Sequence, residues 1–578
     1  MGEYLKLFYK FLSFCKPFRR YGVYAAIITL ILAFLYIPAP FITKYVIDKI
    51  FPTKNLSMLN LVVGVLFIFA ILNAFSTFIN GMLLFLFRTK VLINIQYKLF
   101  EHMEYLNMTF HTDARVGHLT SRLINDTSYL QGLMADTVIG FIRNLLIFFI
   151  GVGGLLFLHW KLALISMVFL PFFVYSIYFF SSKIRKKTSE TQEKIALVYN
   201  VFFETLYLIP LVKAFCLEEK QTSSARNRLD DHFCANQNLA KTSYLSASIT
   251  SFIGTIGALF ILWLGGREVI FGRLSLGSFV AFNTFLSYLY GPVQMIMGIN
   301  TTVQSSLAAL KRVFQIFTIP KEDEGLVGHI NLDRVHGKIN FENVTFSYDG
   351  SIPVVKNICL TIQPNEKIAL VGKSGTGKTT LVNLLLKFYK PQKGNIYLDN
   401  TNIKDIKFNE LRQKIGIVQQ TSLLFSGTIK ENIRVGNLKA SEADIIEAAR
   451  IANLYDFVMS LPKGFNTEVG ERGVKLSGGE RQRLAIARVV LKNPKIFIFD
   501  EATSEIDSDS ETVIRKALNK ILDNKTAIFI AHRLFSVLHA DRCVFIENGE
   551  IKSVGSHEQL YKNLPSYRKI CDEQFLRV

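Results

Sequence analysis

The chain has 578 residues, 50% of them hydrophobic, and a formal net charge of +20, so its length predicts more than one domain. The excess basic residues lie beside long apolar runs, as in the cluster at 183–187, which is typical of membrane helices and argues against nucleic acid as a partner. The six cysteines form no CxxC pair, so neither a zinc site nor a thioredoxin-like redox site is predicted.

The first 20 residues predict an amphipathic helix that lies on the membrane surface. Their apolar positions recur at helical spacing and are interspersed with lysines and arginines, which suits the interface between lipid and water. The segment is too basic and too interrupted for a cleaved signal peptide. Residue 6 is Lys, where an N-myristoylation motif needs Ser or Thr.

Residues 21–315 predict an all-α transmembrane domain with six helices, because about 20 apolar residues are needed to cross a bilayer. The connections at 88–136 and 182–243 are long, helix-forming and basic, whereas the other three are short. The basic excess places both long connections and the N-terminus in the cytosol, so we expect a multi-pass protein of the cytoplasmic membrane. The predicted spans are 21–48, 58–87, 137–159, 161–181, 246–265 and 276–300, with a turn at Trp160 and Lys161.

The sixth predicted span is unusually polar for a membrane helix. Polar side chains in such a span either line a water-filled cavity or form hydrogen bonds between helices, and the sequence leaves both interpretations open. No acidic residue lies in the middle of a span, which argues against a proton-coupled carrier. The polar residues are Asn283, Thr284, Ser287, Tyr288, Tyr290, Gln294 and Asn300.

A phosphate-binding loop is predicted after a linker at 316–336, in a domain that covers 337–578. The strand-forming run at 366–371 precedes a GxxxxGK[ST] motif and a helical sequence, in the order that a P-loop requires. Its glycines let backbone N–H groups point at phosphate. Lys378 is expected to contact the β- and γ-phosphates of ATP, and Thr379 to hold Mg²⁺. The predicted contacts are Gly372, Lys373, Ser374, Gly375, Thr376, Gly377, Lys378, Thr379 and Thr380.

Three more apolar runs predict buried parallel strands, and each is followed by polar side chains. The runs cover 495–499, 526–530 and 415–418. Asp500 is expected to bind the metal, and Glu501 is expected to deprotonate the attacking water, which typically contributes about 10²–10⁴ in rate. Ligands bind beyond the carboxyl ends of parallel strands, so one phosphate–metal centre is predicted from Thr379, Gln420, Asp500, Glu501 and His532.

The segment LSGGE at 476–480 is the most specific motif of the chain. Ser477 and Glu480 predict a capping box at a helix N-terminus, which favours an anion. With its flanks the segment resembles the signature of ABC ATPases. In length and domain order the whole chain resembles bacterial ABC exporter half-transporters of the multidrug or lipid type.

The resemblance implies a type I ABC exporter fold, followed by an α/β P-loop ATPase domain, and it assigns further roles. Tyr348 would stack on adenine, Gln420 would contact Mg²⁺, and His532 would act as the switch histidine. Ser477, Gly478, Gly479 and Glu480 would contact the ATP of a partner subunit, so a homodimer is implied. The D-loop keeps Asp507 but reads SEID at 504–507, where the family usually has SALD.

The implied function is ATP-driven export or flipping of a hydrophobic or amphipathic cargo, such as a drug, lipid or peptide, by alternating access. A dedicated lipid or peptide exporter uses the same architecture. An ATP-gated channel or a non-transporting sensor is the alternative from another class, and it would hydrolyse ATP without stimulation by a substrate. The sequence does not indicate the cargo.

Overall fold

The computed structural model describes residues 2–113, 116–132, 139–324, 335–470, 473–500, 521–531, 537–538 and 540–575. The chain divides into two compact units. The first comprises Met1–Glu104 and Val116–Ile319, and the second comprises Tyr105–Arg115 and Pro320–Val578. The second unit therefore includes a short segment that interrupts the first unit along the chain.

Long apolar helices form the first unit. Helix α1 is joined to α2 by a 3₁₀ turn, and π-helical turns cover Val46–Ile50 and Arg122–Asp126. The helices of the N-terminal half, of which α6 belongs to the second unit, are α1 (Gly2–Cys15), α2 (Arg19–Phe34), α3 (Pro38–Tyr45), α4 (Phe51–Thr53), α5 (Leu56–Glu104), α6 (Met108–Asp113), α7 (Val116–Ser121), α8 (Thr127–Gly132), α9 (Gly140–Tyr207), α10 (Ile209–Ala214), α11 (Glu218–Ile270) and α12 (Leu276–Phe317).

Four helical stretches in the described part of the chain are long and apolar enough to cross a membrane. Large apolar side chains on them are exposed, such as Phe78 and Phe157, as expected where lipid rather than water surrounds the protein. The third stretch breaks at His159, whose backbone is extended (φ −162°, ψ 99°), one residue before the predicted turn. The four stretches are Tyr9–Thr53, Leu56–Glu104, Gly140–Tyr207 and Glu218–Ile270.

Helix α12 carries the predicted sixth span and is not one of these four stretches. Its polar side chains form hydrogen bonds both to another helix and within α12. The Tyr290 hydroxyl donates to the carbonyl of Ser166 on α9 at 2.9 Å, whereas the Ser287 hydroxyl donates to the carbonyl of Thr284 on α12 itself. The Tyr290 bond supports the interhelical interpretation at that position. Elsewhere in the unit, Thr29 and Asn80 form a buried pair at 3.2 Å, the kind of polar contact that holds membrane helices together.

Two sheets form the centre of the second unit. The antiparallel sheet has the order β2-β1-β4-β5, and the six-stranded sheet has the order β10-β9-β3-β8-β7-β6, parallel except for the β9–β10 pair. The strands are β1 (Ile339–Phe346), β2 (Val355–Ile362), β3 (Lys367–Val371), β4 (Lys393–Leu398), β5 (Thr401–Asn402), β6 (Ile415–Val418), β7 (Ile496–Asp500), β8 (Thr526–Ile530), β9 (Arg542–Glu547) and β10 (Glu550–Gly555).

Helices cover the larger sheet, so every residue of β7 and β8 is buried. This burial explains why both strands read as unbroken apolar runs. One core cluster lies between the sheets, and a second lies under the helices that follow β6. The helices are α13 (Lys378–Leu385), α14 (Phe408–Lys414), α15 (Ile429–Arg434), α16 (Glu442–Ile451), α17 (Tyr455–Ser460), α18 (Gly478–Lys492), α19 (His557–Asn563) and α20 (Pro565–Phe575).

Two ion pairs fasten residues 320–324 to the rest of the second unit, and we call this arrangement the linker clasp. Arg412 pairs with Glu322 through two N–H groups, and Lys387 donates to Asp323 at 3.2 Å. The backbone N–H of Glu322 also donates to the carbonyl of Tyr105 at 2.8 Å. The clasp therefore joins the beginnings of the two chain segments that form the unit.

Candidate nucleotide-binding site

The loop at 372–377 connects β3 to α13, as the motif predicts. Gly375 and Gly377 adopt positive φ angles of 82° and 98°, which only glycine adopts without strain. The Lys378 ammonium is buried and donates to the carbonyls of Gly372 and Lys373 at 2.6 and 2.9 Å. The loop thus curls around its own cation at a helix N-terminus, an arrangement suited to a phosphate chain.

Gly372 is fixed by close packing rather than by its φ angle. A Cβ atom at this position would overlap the carbonyl oxygen of Ile546 and lie 2.9 Å from the Thr376 hydroxyl. That hydroxyl donates to the carbonyl of Lys373 at 2.9 Å. No signal in the sequence points to the Ile546 contact, because it joins residues 174 positions apart.

Thr379 and Asp500 are brought together across the sheet. β3 and β7 flank β8 in the parallel part of the sheet, so their carboxyl ends lie on the same edge. The Thr379 hydroxyl donates to Asp500 Oδ2 at 3.5 Å, and Asp500 is 8% exposed. Hydroxyl and carboxylate oxygens are the hard ligands that Mg²⁺ prefers, so this pair fits a magnesium ion.

Gln420 follows β6 at that edge of the sheet, and its side chain is exposed. β6 pairs with β7 from Ile415–Ile496 to Val418–Phe499, which places Gln420 two residues beyond the last pair. The amide oxygen is a further hard donor of the kind magnesium accepts. Glu501, Asp507 and His532 lie outside the described residues, so their assigned roles remain predictions.

Tyr348 presents an aromatic ring that is 49% exposed. Its ring edge packs against Phe346 and Tyr389, with centroids 4.9 and 5.0 Å away. Its hydroxyl lies 3.1 Å from the Thr380 hydroxyl on α13. The ring is therefore anchored to the helix that follows the P-loop, and its exposed surface is suited to stacking on a base. No pattern in the sequence points to Phe346 and Tyr389 as supports of this ring.

The signature segment forms the capping box that the sequence predicts at the start of α18. The Ser477 hydroxyl accepts from the Glu480 N–H, and the Glu480 carboxylate accepts from the Ser477 N–H at 2.7 Å. Gly478 and Gly479 form the first turn. The remaining N–H groups of that turn and the helix dipole favour a negative charge there.

Arg488 connects the signature helix to the chain that follows Gln420. Its guanidinium donates to the carbonyls of Asn432 and Leu423, both at 2.7 Å. Burial lowers the pKa of Arg488 to about 10, which still leaves it charged at neutral pH. No signal in the sequence points to this contact, because a single basic position in an amphipathic helix normally faces solvent.

Two family models match the chain. The model described as the ABC transporter transmembrane region matches residues 23–293, and the model described as ABC transporter matches residues 355–504. The second match includes the P-loop, Gln420, LSGGE and Asp500. Both halves of the sequence-based resemblance are thus confirmed at the level of the family.

Relatives match over nearly the whole chain. An ATP-dependent lipid A-core flippase of Syntrophus aciditrophicus is 35% identical over 99% of this chain and 95% of its own. A Staphylococcus aureus protein, whose name describes a multidrug export ATP-binding/permease protein, is 35% identical. The match covers 98% of this chain and 100% of its own. A solved bacterial Atm1-family ABC exporter with ATP bound is 25% identical, with a TM-score of 0.82 over 96% of this chain and 98% of that one.

Proposed function

Because the chain belongs to the ABC transporter family, as an exporter with the transmembrane and ATPase parts fused, we propose that it exports or flips a hydrophobic or amphipathic cargo. Its enzymatic activity is ATP hydrolysis coupled to transport. The observation that carries the proposal is the convergence of the P-loop, Thr379 and Asp500 in the same chain as the apolar helices.

Different residues of the site bind the phosphates, the base and the metal of ATP and take part in its hydrolysis. The P-loop N–H groups and Lys378 bind the phosphates, and Tyr348 stacks on the base. Thr379, Asp500 and Gln420 would hold Mg²⁺, which offsets phosphate charge when it is bound. Glu501 accepts a proton from the attacking water, and His532 contacts the γ-phosphate.

The working unit is a homodimer, in which each ATP lies between the P-loop of one chain and the signature of the other. One chain supplies one P-loop and one capped signature helix, so two copies complete two equivalent sites. Ser477, Gly478, Gly479 and Glu480 contact the partner's nucleotide, and Asp507 is assigned to nucleotide binding with them. The first-turn N–H groups of α18 support an anion in this role.

The protein lies in the cytoplasmic membrane, with its N-terminus and ATPase unit in the cytosol. The support is the basic excess in the long connections, which marks the cytosolic side. The cargo class rests on the aromatic helices and on the names of two relatives, which are a lipid flippase and a protein named for multidrug export.

The test is ATPase activity in proteoliposomes, screened against lipids, drugs and peptides, with transport measured for each stimulating compound. Stimulated hydrolysis with movement of the same compound is the expected result. Hydrolysis that no compound stimulates, in vesicles that nevertheless pass ions, would favour the ATP-gated channel. An ATPase that neither transports nor conducts would favour the sensor.

Two variants test the site itself. Glu501→Gln should keep ATP binding and lose nearly all turnover, and Lys378→Ala should lose ATP binding. Lys463→Ala removes an exposed lysine elsewhere in the same unit and serves as the charge-matched control. Wild-type hydrolysis in Glu501→Gln would exclude the proposed proton acceptor.

A further inference from the structure

A cavity of 640 Å³ lies in the first unit where the surface helix α1 meets the membrane helices. Its walls are apolar and come from four elements. Leu12 of α1, Val23 and Ala26 of α2, Phe87 of α5 and Ile142 of α9 are among the lining residues. The volume falls within the range of small-ligand pockets, about 300–1,000 Å³. The proposed nucleotide and cargo roles use none of these residues.

Two cations line the same cavity. Lys16 and Arg19 lie in and just after the 3₁₀ turn that joins α1 to α2, and both are exposed. Within the described ranges, neither side chain forms an ion pair. The other charged groups described nearby are also basic: Arg20 follows in sequence, and Lys90 lies over the ring of Tyr21. Among the described side chains, the cavity is therefore an apolar groove with positive charge and no acidic partner for it.

The position of the groove selects the kind of ligand. Helix α1 is amphipathic and exposes Tyr9, and aromatic and basic residues of this kind lie at the membrane–water interface. In the proposed orientation this interface faces the cytosol, where the leaflet carries anionic lipids. A phosphate headgroup matches the two cations, and an acyl chain matches the apolar walls.

We propose that this cavity binds one anionic phospholipid as a resident ligand, with its phosphate paired to Lys16 and Arg19 and an acyl chain beside Val23 and Ala26. The proposal rests on the orientation given above, but it is independent of the nucleotide chemistry and of the cargo. The lipid stays at the joint between α1 and α2 rather than crossing the membrane.

The first test measures phosphatidylglycerol bound to the full-length protein by native mass spectrometry, after exchange into phosphatidylcholine nanodiscs with graded phosphatidylglycerol. An exposed ion pair with the phosphate contributes up to about 1 kcal/mol, so the loss of both pairs in Lys16→Gln with Arg19→Gln should weaken binding up to roughly 30-fold. The matched control is Lys10→Gln with Arg20→Gln, which removes the same charge from the same segment outside the cavity lining. The proposed site is wrong if both double variants lose phosphatidylglycerol binding equally, or if Lys16→Gln with Arg19→Gln loses none.

The second test addresses the acyl chain and leaves all charges in place. Ala26→Leu fills part of the groove and should reduce phosphatidylglycerol retention at least fivefold, whereas Ala26→Ser should retain it. Unchanged retention in Ala26→Leu would exclude the assigned chain position. In the wild-type protein, a photoactivatable phosphatidylglycerol should crosslink within residues 9–26 or at the lining positions on α5 and α9. Crosslinks confined to helices that do not line the cavity would refute the proposal. These readouts do not require transport, so they separate this proposal from the proposed function.

Discussion

The Arg412→Ala variant should weaken the second unit locally through the linker clasp. Arg412 pairs with Glu322 through two N–H groups, donates to the carbonyl of Leu386 at 3.0 Å, and lies 4.8 Å from the ring centroids of Phe388 and Phe408. The Glu322 side chain is 9% exposed, so removal of Arg412 leaves a buried carboxylate without its cation. Breaking a buried pair destabilises by about 3–5 kcal/mol. Because the guanidinium is 24% exposed, solvent screening reduces our expectation to about 2–3 kcal/mol.

Amide hydrogen exchange in the full-length protein measures this loss where it occurs. A change of about 2–3 kcal/mol corresponds to exchange roughly 30–150-fold faster at the amides of Phe408–Lys414. Glu322→Ala combined with Arg412→Ala removes the orphaned charge as well, so the double variant should exchange more slowly than the sum of the single effects predicts. The control is Glu550→Ala, because its pair with Lys552 is exposed and screened by solvent, so its loss should leave exchange at these amides unchanged. If the effects of Glu322→Ala and Arg412→Ala on exchange simply add in the double variant, the two side chains are not coupled and the prediction is wrong.

Three further changes test other parts of the second unit. Gly372→Ala should lower ATP affinity at least about tenfold in a nucleotide-binding assay, since overpacking against Ile546 costs about 1–3 kcal/mol; unchanged affinity would contradict the contact. Asp500→Asn should make ATP binding insensitive to magnesium chelation, and retained sensitivity would move the metal elsewhere. Burial lowers the pKa of His557 below its ordinary 6.5, so the unfolded chain binds more protons and stability should fall as pH drops through 6.5. His557→Gln should flatten this dependence in thermal unfolding between about pH 7.5 and 5.5; the same slope in both proteins would exclude His557 as its source.

Local sequence patterns predicted the elements that build the site. β6 and β8 have the bounds that the apolar runs indicated, and the capping box of α18 follows from Ser477 and Glu480. These features are local, because a strand, a glycine loop or a helix cap is determined by residues a few positions apart. The transmembrane helices were equally predictable from the long apolar runs, because apolar segments of this length are stable in lipid and not in water.

Long-range contacts were not predictable in the same way. The pairing of Arg412 with Glu322 joins residues 90 positions apart, and the interruption of the first unit by Tyr105–Arg115 depends on the whole fold. Neither leaves a periodic pattern in the sequence. The break in α9 occurs at His159 rather than at Trp160 and Lys161, because backbone geometry at a helix junction is set by packing as well as by turn-forming residues.

The linker clasp and the nucleotide site lie at opposite ends of one short stretch of chain. Arg412 lies in α14, which leads directly into β6, and Gln420 follows β6. Four residue pairs join β6 to β7, the strand that ends in Asp500, so a displacement at Arg412 reaches Gln420 only by shifting this ladder. Because Gln420 is a proposed magnesium ligand, we expect Arg412→Lys, which keeps the charge but loses the two-pronged pairing, to leave ATP affinity unchanged and to lower ATP hydrolysis several-fold. If it lowers ATP affinity and basal hydrolysis to the same extent instead, Arg412 acts on the nucleotide site as a whole and not through the position of Gln420.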